Sequence, residues 1–475
     1  MTSGINFWDD SVWSFLLTLA ILLAAMLAAN ILRGLIPALR KAMIPSSVLG
    51  GFLALGIHFL VKQFNGTGLF ETSLLESLTY HGLGLGFVAM SLRDMGEQKG
   101  RQRGDTFQTS VSVVNSYLLQ GICALLITIG LSYVLNCFFA SGLLLPMGFG
   151  QGPGQAYNWG RTYENNYAFT DGTSFGLTVA AVGFIASSIG GILYLNNLRR
   201  KGIIEGEAEY LEEDLSAQKI TGHDELPLTD SIDKFTVQVA LVFGTYALAY
   251  LFMKGLNAII ETGALGNFGY NTLQPLIWGF NFLFSSLFGM LVKWIFRKLR
   301  STGVIKREYT NTFMQNRIAG FMFDIMVVAS IAAINLSAFT RPEFIVPLLA
   351  ITVTGSVLTY IYLNIYCKYI FPAYRHEAFL SLYGMLTGTA STGVILLREA
   401  DPAFKTPAAA NLVYQQGWSI LLGAPMLLLM GVAPQSPGMA WMTFGIMVVM
   451  FAVLNVVAFR KMLFKKKDGK GSAKA

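Results

Sequence analysis

Gly148-Phe149-Gly150-Gln151-Gly152-Pro153-Gly154-Gln155-Ala156-Tyr157-Asn158-Trp159-Gly160 is the stretch that decides how this chain folds. It stands between two apolar runs, Gly121 to Phe139 and Phe175 to Leu195. Glycine permits positive φ and close backbone approach, and Pro153 lacks an amide donor and cannot continue a helix. The stretch therefore predicts unwound backbone at membrane depth. Lipid leaves backbone polar groups unsatisfied, so such a segment must be buried in protein or line a wet cavity. A tight loop outside the membrane is the plain alternative. Against it stands a second stretch in the other half, Gly384-Met385-Leu386-Thr387-Gly388-Thr389-Ala390-Ser391-Thr392-Gly393, also between apolar runs. Two glycine-interrupted segments at matching places in two halves point to the binding site of a transporter.

The composition agrees. Of 475 residues, 53% are hydrophobic and 13% charged, with a mean hydropathy of +0.53, whereas soluble domains carry about 25% charged residues. An all-α polytopic membrane protein follows. The net charge of +7 does not point to nucleic acid, because the basic residues sit in short clusters at the ends of apolar runs. Cys123, Cys137 and Cys367 have no paired spacing, and His58, His81, His223 and His376 are scattered. No disulfide framework or zinc site is predicted. Met1 to Trp8 lacks a basic region before the first apolar run, which reads as a retained helix rather than a signal peptide.

Spans are predicted at about Val12 to Leu32, Ile44 to Val61, Leu78 to Leu92, Thr109 to Phe138 and Gly172 to Leu198 in the first half. The second half gives Phe235 to Ile260, Leu273 to Phe296, Ile318 to Ala338, Ile345 to Phe371 and Ala408 to Met430, and a further span runs from Met439 to Phe459. Basic clusters follow the first, third and fifth spans, at Arg33, Arg40 and Lys41, at Arg93 to Arg103, and at Arg199-Arg200-Lys201. By the positive-inside rule the N-terminus lies outside and the C-terminus inside. About five spans per half is an odd number, so the second half starts inside and is inverted relative to the first. The predicted division is a first inverted repeat over 1–201, a cytoplasmic acidic linker over 202–234 with a short surface helix from Gly206 to Gln218, a second inverted repeat over 235–432, and an additional helix with a basic tail over 433–475. Each repeat carries one glycine-rich re-entrant segment.

Candidate site residues come from these segments. Helix N-termini at a chain break suit a carboxylate, and carbonyl and amide oxygens suit a hard cation such as sodium. The predicted substrate-binding set is Gly152, Gly154, Gln155, Asn158, Arg161, Gly388, Thr389, Ser391 and Thr392. Gln151, Thr387 and Asp324 are the candidate sodium ligands. For the hydroxyls, interhelical hydrogen bonding is the competing role. Asp324 lies in an apolar run, where a carboxylate is costly and marks a functional site by default; pairing with Arg317 at the cytoplasmic mouth is its alternative. Arg161 either binds an acid or forms a local ion pair with its acidic neighbours. Trp8, Trp13, Trp278 and Trp294 are predicted belt anchors. No nucleophile–base pair, nucleotide loop or redox-cofactor motif is present, so neither an enzyme nor a cofactor beyond the coupling ion is predicted.

The layout from Val12 to Met430 resembles, distantly, that of the sodium/glutamate symporter family. The local matches are Ile44-Pro45-Ser46-Ser47-Val48-Leu49-Gly50-Gly51, Gly148 to Ala156, and Gly388-Thr389-Ala390-Ser391-Thr392. The departures are Gln151, Pro153 and Gln155 in the first loop, no proline in the second, and the extra C-terminal helix and acidic linker. The resemblance implies sodium-coupled symport of glutamate or a similar small carboxylate in the cell inner membrane. It also implies a homodimer with a scaffold and a moving transport domain. Two other readings stay open: a proton-coupled transporter or exporter of another organic anion, and a membrane subunit of a sodium-pumping decarboxylase.

Overall fold

The computed structural model describes residues 6–93, 101–204, 233–266, 269–402 and 405–463. Among these the chain is built from helices, with no β-strand. The first half contains α1 (Asp10–Leu35), α2 (Pro37–Lys41), α3 (Ser46–Asn65), α4 (Thr72–Leu92) and α5 (Arg101–Leu135). It continues with α6 (Leu144–Gly150), α7 (Pro153–Tyr167) and α8 (Gly172–Arg200). The second half contains α9 (Lys234–Glu261), α10 (Gln274–Gly279), α11 (Asn281–Ser301), α12 (Thr312–Ala332) and α13 (Pro342–Ile370). It continues with α14 (Arg375–Thr387), α15 (Ala390–Arg398), α16 (Ala408–Tyr414) and α17 (Gln416–Val432), and α18 (Pro437–Leu463) follows. Nearly all of the expected acidic linker lies outside the described residues, including its surface helix.

Eight of the described helices are long and apolar enough to cross a membrane, including α5, α8, α13 and α18. The chain is a multi-pass, all-α membrane protein. The three other predicted spans are also helical, but α4 carries Glu76 and His81, α12 carries Arg317 and Asp324, and α11 ends in a basic turn.

α12 packs along α4 and α3, and α11 packs against α4 and α9. Glycines let these helices approach: Gly51 abuts the Ile331 side chain, and Gly86 abuts the Phe323 ring. A second group forms around α5, which runs beside α13, α17 and α18 and supports α6. Leu118, Leu125, Leu145, Phe149, Trp159 and Phe175 are buried in the largest core cluster here. A second cluster joins Tyr194, Tyr366, Phe379, Tyr383 and Leu396 near the start of α14. Tyr194 and Phe379 stack with ring centroids 3.9 Å apart.

The backbone departs from the expectation at both glycine-rich stretches. Only Gln151 and Gly152 leave the helix in the first, and only Gly388 and Thr389 in the second. Pro153 sits at the first position of α7, where its missing donor costs no helical bond. The remaining glycines stay helical because they are contact surfaces. Gly160 lies against the Gly172 carbonyl, and Gly384 lies against Gly393. Close packing offsets the propensity cost of glycine, so the interruptions shrink to two residues each.

Candidate functional site

Each interruption ends one helix and starts another. The amide of Gln151 donates to Met147 O, closing α6. Gly152 then takes φ 84° and ψ −178°, a backbone open to glycine and strained for other residues. In the second interruption, Gly388 N donates to Gly384 O and closes α14, and Thr389 is the extended residue before α15. Neither Gly152 nor Thr389 supplies a side-chain cap to the helix it opens. The early amides of α7 and α15 therefore keep donor capacity, and each N-terminus carries roughly half a positive charge.

The two interruptions meet. A Cβ built on Gly152 would lie 3.4 Å from Thr389 Cγ2. Two residues beyond Thr389, the Ser391 side chain is exposed, whereas Thr392 is buried with its hydroxyl 3.4 Å from that of Thr389. Gly388 stands over the Thr392 hydroxyl. Thr387 is buried and donates its hydroxyl back to Tyr383 O. Gln151 is half-buried at the end of α6.

Gln155 lies in the first turn of α7 and is 1% exposed. Neither its side-chain oxygen nor its nitrogen has a hydrogen-bond partner among the described residues. Asn158 Oδ1 and Trp159 Nε1 share this condition, at three and four residues further along α7. That spacing places all three on one helical face. A buried unpartnered polar group costs about 1–3 kcal/mol. Three on one face beside an uncapped N-terminus make a buried polar surface able to hydrogen-bond a ligand.

Further up α7 the site opens into a cavity of about 330 Å³, lined by Tyr80, Tyr157, Asn158, Arg161, Gln274 and Trp278 among others. Asn158 Nδ2 donates to Gly279 O at 3.1 Å. Arg161 pairs with Glu76 at 3.7 Å and Glu164 at 4.0 Å, and Tyr157 donates to Glu76. Asn158 and Arg161 are therefore about 9 and 13 Å along the helix from Gly152. They belong to the mouth of the site rather than to the interruption. Trp278 lines this cavity and donates to Asn257, while Trp8, Trp13 and Trp294 are exposed.

No family model matches the chain, and no curated protein matches it. The site stands on its geometry alone.

Asp324 is exposed on α12, on the helix whose Met326 meets Gly154, and the first turn of α3, where the helix dipole favours negative charge, holds the nearby Ser47. Arg317, its alternative partner, instead stacks over the Phe313 ring at 5.2 Å. Gly154 faces the same helix two residues away, against Met326 Sδ at 2.8 Å and Leu83 of α4. The structure thus brings Gly152, Thr389 and Thr392 together, with Gln155 on the adjoining turn.

The sequence did not single out the residues that hold the interruptions in place. Tyr117 Oη donates to Gly150 O at 3.0 Å. Gln120 Nε2 donates to Leu386 O and Thr359 Oγ1, both at 2.9 Å. A glutamine inside an apolar run was the available signal, but its partners lie more than two hundred residues away.

Proposed function

We propose that the chain is a secondary active transporter that couples sodium to the symport of glutamate or a similar small carboxylate in the cell inner membrane. The observation that carries this reading is the junction of Gly152 with Thr389. Two uncapped helix N-termini share one spot there, with an unpartnered buried amide at Gln155. Paired N-termini favour an anion, and the amide discriminates in favour of a hydrogen-bonding group. The C-terminal ends of α6 and α14 arrive at the same place and offer oxygens to a cation, with Gln151 and Thr387 adjoining.

The order of elements supports two inverted-topology repeats. The series α1, α3, α4, α5, the α6–α7 pair and α8 is matched by α9, α10–α11, α12, α13, the α14–α15 pair and α16–α17. The packing pairs correspond too, with α3 against α12 mirrored by α11 against α4. In this reading the interrupted pairs are re-entrant, the N-terminus is outside, and Arg161 and Glu76 face the outer mouth. The bundle around α5, α8 and α13 carries the site past α3, α4, α11 and α12 in an elevator motion, within a homodimer.

Glutamate uptake by purified protein in liposomes, with and without an inward sodium gradient, tests the reading. Sodium-dependent accumulation is expected, and Gly154→Val and Gly388→Val are each expected to abolish it. Normal uptake by both variants would remove the paired interruptions from the mechanism. Uptake driven by a proton gradient alone would favour the proton-coupled alternative.

A further inference from the structure

The carbonyls at the ends of α6 and α14 have lost their helical partners, and two are taken up by one turn of a single helix. Tyr117 and Gln120 are three residues apart on α5, a rise of about 4.5 Å. Tyr117 binds Gly150 O, and Gly150 lies flat against its ring, which fills the space a Cβ would need. Gln120 spends both amide hydrogens, one on Leu386 O and one on Thr359 of α13. Its Oε1 has no partner among the described residues, so the amide orientation is fixed by donation alone. From the opposite side, Gly183 of α8 touches both arms, because a Cβ there would overlap Thr387 O and meet the Phe149 ring. Ser187, one turn on, donates to Gly384 O at 3.4 Å.

We propose that Tyr117 and Gln120 are positioning residues that fasten the two interruptions to one turn of α5, so that Gly152 and Thr389 are held and loosened as one unit. Neither side chain is in the ligand surface. Each acts through a backbone carbonyl at a helix end, where an acceptor left unmet costs stability. The consequence is specific. Loss of the Tyr117 bond, which touches only the first interruption, must also loosen the second, and the converse must hold for Gln120.

Hydrogen exchange of the ligand-free protein in nanodiscs reads this without requiring any substrate. The variants are Tyr117→Phe and Gln120→Met. Tyr366→Phe is the control, since Tyr366 is fully buried and its hydroxyl donates to Gln108 O, away from the interruptions. Each variant is expected to speed exchange about tenfold over both 150–156 and 386–392, while the control leaves both unchanged. Loosening confined to the interruption a variant touches, or exchange no different from the control, would overturn the proposal. If Gln120→Met does not fold, Tyr117→Phe alone decides it through 386–392. A glutamate titration in sodium buffer supplies the second readout, with affinity expected to fall about tenfold in both variants. The proposal rests on the carboxylate reading for that readout only. A wild-type protein that binds no glutamate would sink that reading and leave the exchange result to stand.

Discussion

Gly152 to Gly160 and Thr389 to Ser391 begin alike, each with a non-helical residue opening an uncapped helix, but they lie in different surroundings. Every residue from Gly152 to Gly160 is buried, whereas Ala390 and Ser391 are exposed. α7 is lodged against α8, α4, α12 and α10. α15 leans chiefly on its own partner arm α14, with lesser contact on α16 and α8. Small residues explain the difference. α7 offers Gly154 to α4 and α12 and Gly160 to α8, while α8 offers Gly176 to the Ala156 carbonyl. The glycine within α15, Gly393, is spent on Ser381 and Met385 of α14. A broken helix is enclosed where its arm presents small residues to neighbours beyond its own pair.

The strongest way to break this comparison is steric. Gly176→Val drives a side chain into the Ala156 carbonyl oxygen, and overpacking of this kind costs about 1–3 kcal/mol or more. A clear fall in melting temperature of the detergent-solubilised protein is expected. Ala390→Val, at the exposed counterpart, is expected to stay within about 0.5 kcal/mol. Equal losses at the two positions would mean that the second interruption is as enclosed as the first.

A smaller effect separates stability from binding. Gln155→Leu replaces an unpartnered buried amide with an apolar group of similar size. The ligand-free protein should gain about 1 kcal/mol, while glutamate no longer raises the melting temperature. If stability falls instead, Gln155 already has a partner such as an ordered water, and its role as a ligand group weakens.

The smallest effect concerns the loop after α15. Burial pushes the Asp401 carboxyl upward, but hydrogen bonds from the Thr406 hydroxyl and the amides of Thr406 and Lys405, with the Lys405 charge, hold it below its usual value. A depressed carboxylate contributes in full above the ordinary value of 3.8 and loses that contribution as pH falls through its folded value. Protection of the Lys405 and Thr406 amides, taken relative to the intrinsic exchange rate at each pH, should therefore hold above about pH 5 and fall as the solution is acidified below the ordinary carboxylate value. Asp401→Asn should remove that step. A step that persists would belong to another group.

Much of the architecture was legible in the residues. Apolar runs of the right length marked the long helices, and the predicted span from Gly172 to Leu198 matches α8 to within two residues. Helix positions follow from burial of a continuous apolar stretch, which is a local property. The interruptions were found by their glycines but drawn too long. Glycine weakens a helix in isolation, and only the neighbours at Gly148, Gly154, Gly160 and Gly384 show that these residues are there for contact. Asp324 was singled out as a carboxylate in an apolar run, yet it is exposed, and its surroundings depend on how α3 crosses α12, which spacing along the chain does not encode.

The sequence by itself determined that the chain is helical and belongs in a bilayer, and it marked the glycine-rich stretches Gly148 to Gly160 and Gly384 to Gly393, because hydropathy and backbone freedom are carried by each residue wherever it lies. Only the tertiary structure decided that the two breaks touch, that Tyr117 binds a carbonyl beside the first and Gln120 one beside the second, and that Gln155 has no partner among the described residues. The contact of Gly152 with Thr389 and the bond from Gln120 to Leu386 join positions more than two hundred residues apart. Hydrogen bonds and close contacts depend on distance in space, and distance in space is set by how the helices pack.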